Sequence, residues 1–150
     1  SCAPFERLLN IEILEAADGQ ALLTMPFYMD YAQGGGLMHG GALVSLADTA
    51  VVMAIKSIIP PLSHFATILL ETKFLTPVKQ GTVTAKARVV HQEGRTLKGR
   101  AEICDEDGRV VMEFSSTFKV ARDTTIRGVV YEEKSSLSDP PKHFNDSNDA

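Results

Sequence analysis

Hydrophobic and polar residues alternate through most of the chain between positions 64 and 120. In 82–92, for example, valine and alanine occupy every second position, and threonine, lysine and arginine fill most of the others. A period of two predicts half-buried β-strands. The four predicted strands span 64–76, 82–92, 95–105 and 109–120. Because the connections between them are short, we expect an antiparallel meander.

The N-terminal part of the chain predicts a short helix followed by a hairpin. Residues 3–10 fit a helix, and strands at 11–17 and 20–27 flank an Asp18-Gly19 pair. An Asp-Gly pair between two apolar runs is a strong signal of a tight hairpin turn. A loop is predicted at 28–38, because three consecutive glycines disfavour regular structure.

One long helix is predicted from Gly40 to Ile59, where two prolines stop it. Its apolar residues point in almost every direction, so the helix must be buried on most sides. Asp48 lies near its middle, with Val44 and Val52 one turn away and no lysine or arginine within a turn. A carboxylate in such a place either finds a partner elsewhere in the protein or has a raised pKa.

The order of these elements predicts an α+β fold, in which an antiparallel sheet of about six strands is wrapped around one long central helix. Such a sheet leaves its edges available for pairing with a second copy. We expect residues 1–122 to form this one domain. Residues 123–150 are expected to be a flexible C-terminal extension, because 134–150 is polar and contains two prolines. Residues 126–131 have enough apolar side chains for an extra strand or a short helix.

Composition removes several classes of function. The net charge of −4 argues against nucleic-acid binding, and no apolar run approaches the length of a membrane span. The first residues lack the pattern of a secretory signal. Cys2 and Cys104 are far apart and outside any metal-ligand spacing, which argues against a disulfide framework and a zinc site. We therefore expect a cytoplasmic protein that needs no metal.

Two segments and one residue carry a family resemblance: QGGGLMHGG at 33–41, Asp48, and TKFLTPVKQG at 72–81. They resemble the hotdog-fold acyl-CoA thioesterases of the PaaI type, close to the thioesterase superfamily member 2 group. That family has the pattern Asn-x-x-Gly-x-x-His-Gly-Gly, with aspartate eight residues after the first glycine of the final pair. The resemblance covers roughly residues 5–120. Gln33 departs from the pattern, because the family usually has asparagine at that position.

The resemblance implies hydrolysis of acyl-CoA thioesters, with an aryl or medium-chain acyl group, to the free acid and CoA. It places each active site between two subunits, where Asp48 of one chain faces Gln33 and the helix N-terminus of the other. Asp48 is then either the nucleophile or the general base. Family members form dimers that pair into tetramers, so we expect a homotetramer. The reaction requires no cofactor.

The other candidate site residues are expected to bind the substrate or to support Asp48. The Gly40 N–H at the helix N-terminus is expected to polarise the thioester oxygen. Gly41, the next residue, is expected to bind the substrate. His39 either positions the substrate or caps the loop. Thr67, where the family often has serine or threonine, is expected to hydrogen-bond the carboxylate or the attacking water. Gln33 carries the amide of the usual asparagine on one more methylene.

Basic and apolar residues provide candidates for binding the rest of the substrate. Arg88, Arg95 and Lys98 are expected to contact the phosphates of coenzyme A, although isolated surface cations are commoner. The predicted acyl pocket is formed by Leu37, Met38, Met53 and Phe65. These residues suit aromatic and medium-chain acyl groups equally well.

Two other functions fit parts of the pattern. A hotdog hydratase or dehydratase would use His39 together with Asp48, although the Gly-x-x-His-Gly-Gly loop disfavours it. A non-catalytic acyl-CoA-binding protein is the second alternative, because of Gln33. A panel of acyl-CoA substrates separates the three functions by thiol release, by enoyl hydration, or by binding without turnover.

Overall fold

The computed structural model describes residues 3–122. Helix α1 spans Pro4–Leu8 and helix α2 spans Gly40–Lys56, with a short 3₁₀ turn at Met29–Tyr31 between them. The strands are β1 (Glu12–Ala17), β2 (Gln20–Pro26), β3 (Phe65–Phe74), β4 (Thr82–Glu93), β5 (Thr96–Cys104) and β6 (Val110–Val120). The predicted extension at 123–150, with its possible strand or helix at 126–131, lies outside the described residues.

All six strands form one antiparallel sheet in the order β1-β2-β4-β5-β6-β3. The predicted α+β architecture of about six strands around one long helix is therefore confirmed. The expected meander of four consecutive strands is correct for β4, β5 and β6 and wrong for β3. Strand β3 pairs with β6 at the far edge, and β2 takes the place beside β4.

Helix α2 explains the position of β3. Its 17 residues span about 25 Å along the helix axis. The distance from β2 across the sheet to β3 is four strand spacings, or about 19 Å. The helix is thus long enough to carry the chain across the sheet, so that the next strand adds to the opposite edge.

The strand faces follow the predicted alternation. In β4, Val83, Ala85 and Ala87 are buried, and in β5 the buried residues include Ala101 and Ile103. The register places Ala85 opposite Ile103 and Ala87 opposite Ala101, so the apolar rows continue from strand to strand. These rows form the inner face of the sheet, against which α2 packs.

The predicted hairpin and the end of the long helix meet at one point. Asp18 and Gly19 have φ values of 53° and 77°, as a type I′ hairpin turn requires. The Ser57 hydroxyl accepts a hydrogen bond from the Gly19 N–H at 2.8 Å and donates one to the Ala54 carbonyl at 2.6 Å. The helix ends at Lys56, before the predicted Ile59, because Ser57 caps it ahead of the prolines.

The sheet does not cover α2 equally on all sides. Residues on its sheet-facing side, such as Leu46, Ala50 and Ala54, have no exposed surface. Val44, Asp48 and Val52, which lie one turn apart on the flank beside β3, are only partly buried. We call this row, which continues to the exposed Lys56, the open flank of α2.

Helix α2 packs closely against the sheet at Gly99 of β5. A Cβ atom at this position would lie 2.3 Å from Cγ1 of Val51. Since real Cβ contacts do not occur at this distance, only glycine allows the helix to pack where it does.

We therefore expect Gly99→Ala to lower the free energy of unfolding by about 1–3 kcal/mol, the usual penalty for overpacking a core. Denaturant unfolding measures this change. In a Val51→Ala background the same substitution should be less destabilising, because the clashing methyl groups are gone. Gly34→Ala, which meets no atom within 4 Å, is the matched control. Equal effects of Gly99→Ala in both backgrounds would contradict the explanation.

Candidate active site

Asp48 on the open flank has a specific partner on β3. The Thr67 hydroxyl donates a hydrogen bond to Oδ1 of Asp48 at 3.0 Å. Thr67 lies directly before an irregularity in the β3–β6 register, between Thr67 and Leu69. The partner of the carboxylate thus comes from another element, and in the described part of the chain it is a hydroxyl and not a cation.

Burial raises the pKa of Asp48 above its ordinary value of 3.8, and the hydrogen bond from Thr67 partly opposes this shift. The first effect arises because apolar surroundings penalise the charged carboxylate. The second arises because the hydroxyl stabilises the ionised form. The raised pKa predicted from the apolar stripe around Asp48 has this physical basis.

His39 caps the N-terminus of α2. Its Nδ1 accepts a hydrogen bond from the Gly41 N–H at 2.8 Å, so this nitrogen carries no proton in the capped form. The first four N–H groups of a helix lack helical partners, and His39 satisfies one of them. Of the neighbouring N–H groups, that of Gly40 donates no hydrogen bond within residues 3–122.

The ring of Phe74, near the end of β3, packs against the start of α2. A Cβ atom at Gly40 would lie 3.0 Å from Cζ of Phe74. The glycine at position 40 therefore allows close contact between the strand and the helix start. It also keeps the Gly40 N–H free of an overlying side chain of its own.

Gln33 is tied to its own loop. Its Oε1 accepts a hydrogen bond from the Gly35 N–H, and its backbone carbonyl accepts one from Gly36 at 2.9 Å. The loop is anchored at its ends, where the Met38 N–H donates to Val78 and the His39 N–H donates to Tyr31. Within this subunit, Gln33 and Asp48 form no hydrogen bond with each other.

The three predicted phosphate-binding residues lie on β4, β5 and the turn between them. Arg88 is exposed, directly across from Arg100 in the strand register, and lines a groove of about 720 Å³. Lys98 is also exposed, and both residues alternate with buried neighbours, which places them on the face of the sheet opposite α2. Arg95 donates a hydrogen bond to the Val120 carbonyl at 3.2 Å. Among the described residues, none of the three forms a hydrogen bond or an ion pair with Asp48, and their role stays a prediction.

A second groove, of about 300 Å³, lies beside Thr67 and includes residues that the sequence did not single out. We call it the flank groove. Its lining consists of Val52, Lys56, Ser63, His64, Phe65, Ala66, Thr67 and Phe118. Of the predicted acyl-pocket residues, Phe65 lines this groove, whereas Leu37, Met38 and Met53 do not. Lys56 follows Asp48 by eight residues, and this spacing could have placed both side chains on the same side of the predicted helix. No signal in the sequence indicated that His64 lies nearby.

Comparison with known proteins identifies the family. Residues 35–112, more than half of the chain, match the model of the Thioesterase superfamily. The chain therefore belongs to this family, and it is a thioesterase with the hotdog fold.

Its relatives include PaaI proteins. The chain is 34% identical over 110 residues to the acyl-coenzyme A thioesterase PaaI of Escherichia coli, covering 72% of this chain and 76% of PaaI. The structure of the E. coli PaaI protein superimposes with a TM-score of 0.74 at 30% identity, over 79% of this chain and 85% of that one. The Bacillus subtilis protein ComA2 is 32% identical over 115 residues, covering 76% of this chain and 91% of ComA2.

The described residues contain neither a candidate membrane span nor a metal-binding cluster. No helix within residues 3–122 is both long and apolar enough to cross a membrane. The same part of the chain contains no cluster of three or more histidine, cysteine, aspartate or glutamate side chains able to hold a metal ion.

The hydrogen bond between Thr67 and Asp48 can be tested by its effect on ionisation. Because the hydroxyl stabilises the carboxylate, Thr67→Val should raise the pKa of Asp48 further, and Thr67→Ser should leave it close to that of the unmodified protein. Titration of the Asp48 carboxyl carbon by NMR measures both. An Asp48 pKa that is unchanged or lower in Thr67→Val would show that the hydrogen bond does not act in this way.

Proposed function

We propose that this protein hydrolyses acyl-CoA thioesters, with Asp48 as the catalytic carboxylate, at active sites shared between two subunits. The observation that carries this proposal is the position of Asp48. It is a partly buried carboxylate with a raised pKa, held by Thr67 on the one flank of α2 that its own sheet leaves open. One relative also supports the substrate class, because it is named as an acyl-coenzyme A thioesterase, PaaI.

In the general-base route, Asp48 accepts a proton from water as the water oxygen attacks the thioester carbonyl carbon. The carbonyl electron pair moves to oxygen, and the tetrahedral intermediate then expels the thiolate of CoA. The proton held by Asp48 passes to that thiolate, so that acid and thiol leave. In the nucleophilic route, Asp48 attacks the carbonyl carbon itself, and the thiolate of CoA leaves to give a mixed anhydride. Water then hydrolyses this anhydride to the free acid and regenerates Asp48, and the proton released passes to the thiolate. A raised pKa makes the ionised carboxylate a stronger base in the first route and a stronger nucleophile in the second.

The Gly40 N–H is the proposed donor to the oxyanion of the intermediate. It lies at the N-terminus of α2, where the helix dipole places partial positive charge, and it has no other acceptor among the described residues. The Gly41 N–H is already used by His39. In this proposal, His39 and Gly41 therefore hold the helix start in shape, and Gly40 contacts the substrate.

The edge strand β3 supports the sharing of sites between subunits. Ile68 and Leu69 are 58% and 57% exposed, and Phe74 is 53% exposed, which is unusual for an edge strand of a monomer. Pairing of two β3 strands would cover these side chains and bring a partner subunit to the open flank. We infer that Asp48 then faces the Gly40 N–H and Gln33 of the partner. Assembly of such dimers into a tetramer stays a prediction.

Asp48→Asn tests the role of the carboxylate. We expect kcat for acyl-CoA hydrolysis, measured by thiol release from a panel of aryl and medium-chain substrates, to fall by about 10² or more. The fold should remain, because the asparagine Oδ1 still accepts from Thr67. A variant with unchanged kcat would refute the assignment.

The same variant should also change stability with pH. Because the pKa of Asp48 is raised on folding, the stability it contributes is present below its unfolded value and is lost as pH rises through the folded pKa. Asp48→Asn should therefore be more stable than the unmodified protein at neutral pH, by a margin that shrinks in acid. Unfolding free energies at both pH values measure this.

Shared sites can be tested with hybrid dimers. Gly40→Pro removes the proposed donor, and proline suits the first helical position because the preceding His39 is extended, with ψ 133°. Gly40→Ala adds a similar contact with Phe74 but keeps the N–H, so it is the matched control. We expect Gly40→Pro to lower kcat by about 10²–10³ relative to Gly40→Ala.

A hybrid of an Asp48→Asn subunit with a Gly40→Pro subunit has one doubly defective site and one intact site if the sites are shared. Thiol release should then recover to about half of the unmodified rate per hybrid dimer. Hybrids purified with two different affinity tags allow this measurement. Absence of recovery in verified hybrids would mean that each subunit supplies both groups to its own site.

A further inference from the structure

The flank groove leads from the catalytic carboxylate to two basic side chains. We propose that this groove binds the acyl group and that Lys56 and His64 at its far end recognise an anionic terminus, so that the preferred substrates are CoA esters of dicarboxylic acids. This inference rests on the proposed function. It adds a substrate class to that function and assigns a role to Lys56 and His64, which lie outside the sequence motifs.

Thr67 connects the groove to the reaction. It lines the groove, and its hydroxyl contacts Asp48 at 3.0 Å. An acyl chain whose carbonyl carbon lies at Asp48 can therefore enter the groove directly. Thr67 therefore joins the flank groove to the Asp48 carboxylate.

The part of the groove near Thr67 is apolar. Val52 of α2, Phe65 of β3 and Phe118 of β6 form its walls. The rings of Phe65 and Phe118 meet edge to face, with centroids 5.7 Å apart, so this wall is well packed. Such walls suit a hydrocarbon chain. They offer no partner to the two amides of the pantetheine arm of CoA, which favours the acyl group as the occupant.

The far part of the groove is polar and basic. Lys56, Ser63 and His64 line it, and its lining includes no carboxylate from the described residues. Within residues 3–122, no acidic side chain forms an ion pair with Lys56. The His64 backbone is fixed by a hydrogen bond from the Ala121 N–H at 2.7 Å. An anion at this end would gain a charge-assisted hydrogen bond from the lysine.

The spacing along α2 sets the length of the acyl chain. Asp48 and Lys56 are eight residues apart, which is about 12 Å along the helix. An extended chain of roughly eight carbons spans most of this distance, given carbon–carbon bonds of about 1.5 Å, and the flexible lysine side chain can close the remainder. Octanedioyl-CoA is thus a suitable probe, and octanoyl-CoA is its match in length without the terminal carboxylate.

The test compares kcat/KM for octanedioyl-CoA and octanoyl-CoA. The unmodified protein should prefer octanedioyl-CoA. Lys56→Met should lower the ratio of the two kcat/KM values by about tenfold or more, because the terminal carboxylate loses a charge-assisted hydrogen bond. Lys56→Arg, which keeps the charge, should restore much of the ratio. Lys86→Met, on the outer face of the sheet, is the matched control and should leave the ratio unchanged.

Two outcomes would overturn the inference: no preference for octanedioyl-CoA in the unmodified protein, or an unchanged ratio in Lys56→Met, as when both substrates lose activity equally. Equal losses would indicate that Lys56 contacts the CoA phosphates, which both esters share. The proposed function would survive each of these results if octanoyl-CoA is hydrolysed and Asp48→Asn abolishes that hydrolysis. It fails separately if neither ester releases thiol.

Discussion

The whole structure depends on how a helix that is apolar almost all round can be buried by a single sheet. Strands β2, β4 and β5 cover one side of α2, and Gly99 lets the helix sit close against them. One six-stranded sheet cannot also close over the opposite flank. The row from Val44 through Asp48 to Val52 is therefore only partly buried, and the edge strand beside it carries exposed apolar residues. Both features follow from this geometry, and both suit a second subunit.

Strand β3 supplies the aromatic and polar contacts along this flank. It passes along α2 in the opposite sense, so that Phe74 lies against Gly40, Thr67 against Asp48, and the residues before β3 against Lys56. One strand therefore meets the start and the middle of the helix, and the residues before it share a groove with the helix end. This arrangement depends on β3 being added at the edge, beside β6, where no further strand among residues 3–122 covers it. An interior position beside β4 would have removed the open flank.

The sequence predicted local features well and long-range ones less well. Alternation in β4 and β5, the Asp18-Gly19 turn and the start of α2 at Gly40 all depend on neighbouring residues, and the structure agrees with them. The place of β3 in the sheet depends on the length of α2 and on which strand pairs with β4. The residues next to β3 in the sequence do not determine either of these, so the local pattern could not predict the strand order. The predicted raised pKa of Asp48 followed from its apolar helical neighbours, whereas the groove formed with His64 required the folded chain.

Gln33, which departs from the family pattern, is held by a hydrogen bond within its own loop. Its side-chain oxygen reaches back to the Gly35 N–H, as the shorter side chains of asparagine and aspartate do when they close turns. The glycines permit this, because a Cβ at Gly35 would approach that oxygen to 2.8 Å and Gly36 has a φ of 87°. A substrate or partner subunit that draws the amide away must break this hydrogen bond. On an exposed loop water replaces it, so the net penalty is of the order of 1 kcal/mol. Gln33 is thus held by its own loop, and releasing its amide carries only a small energetic penalty.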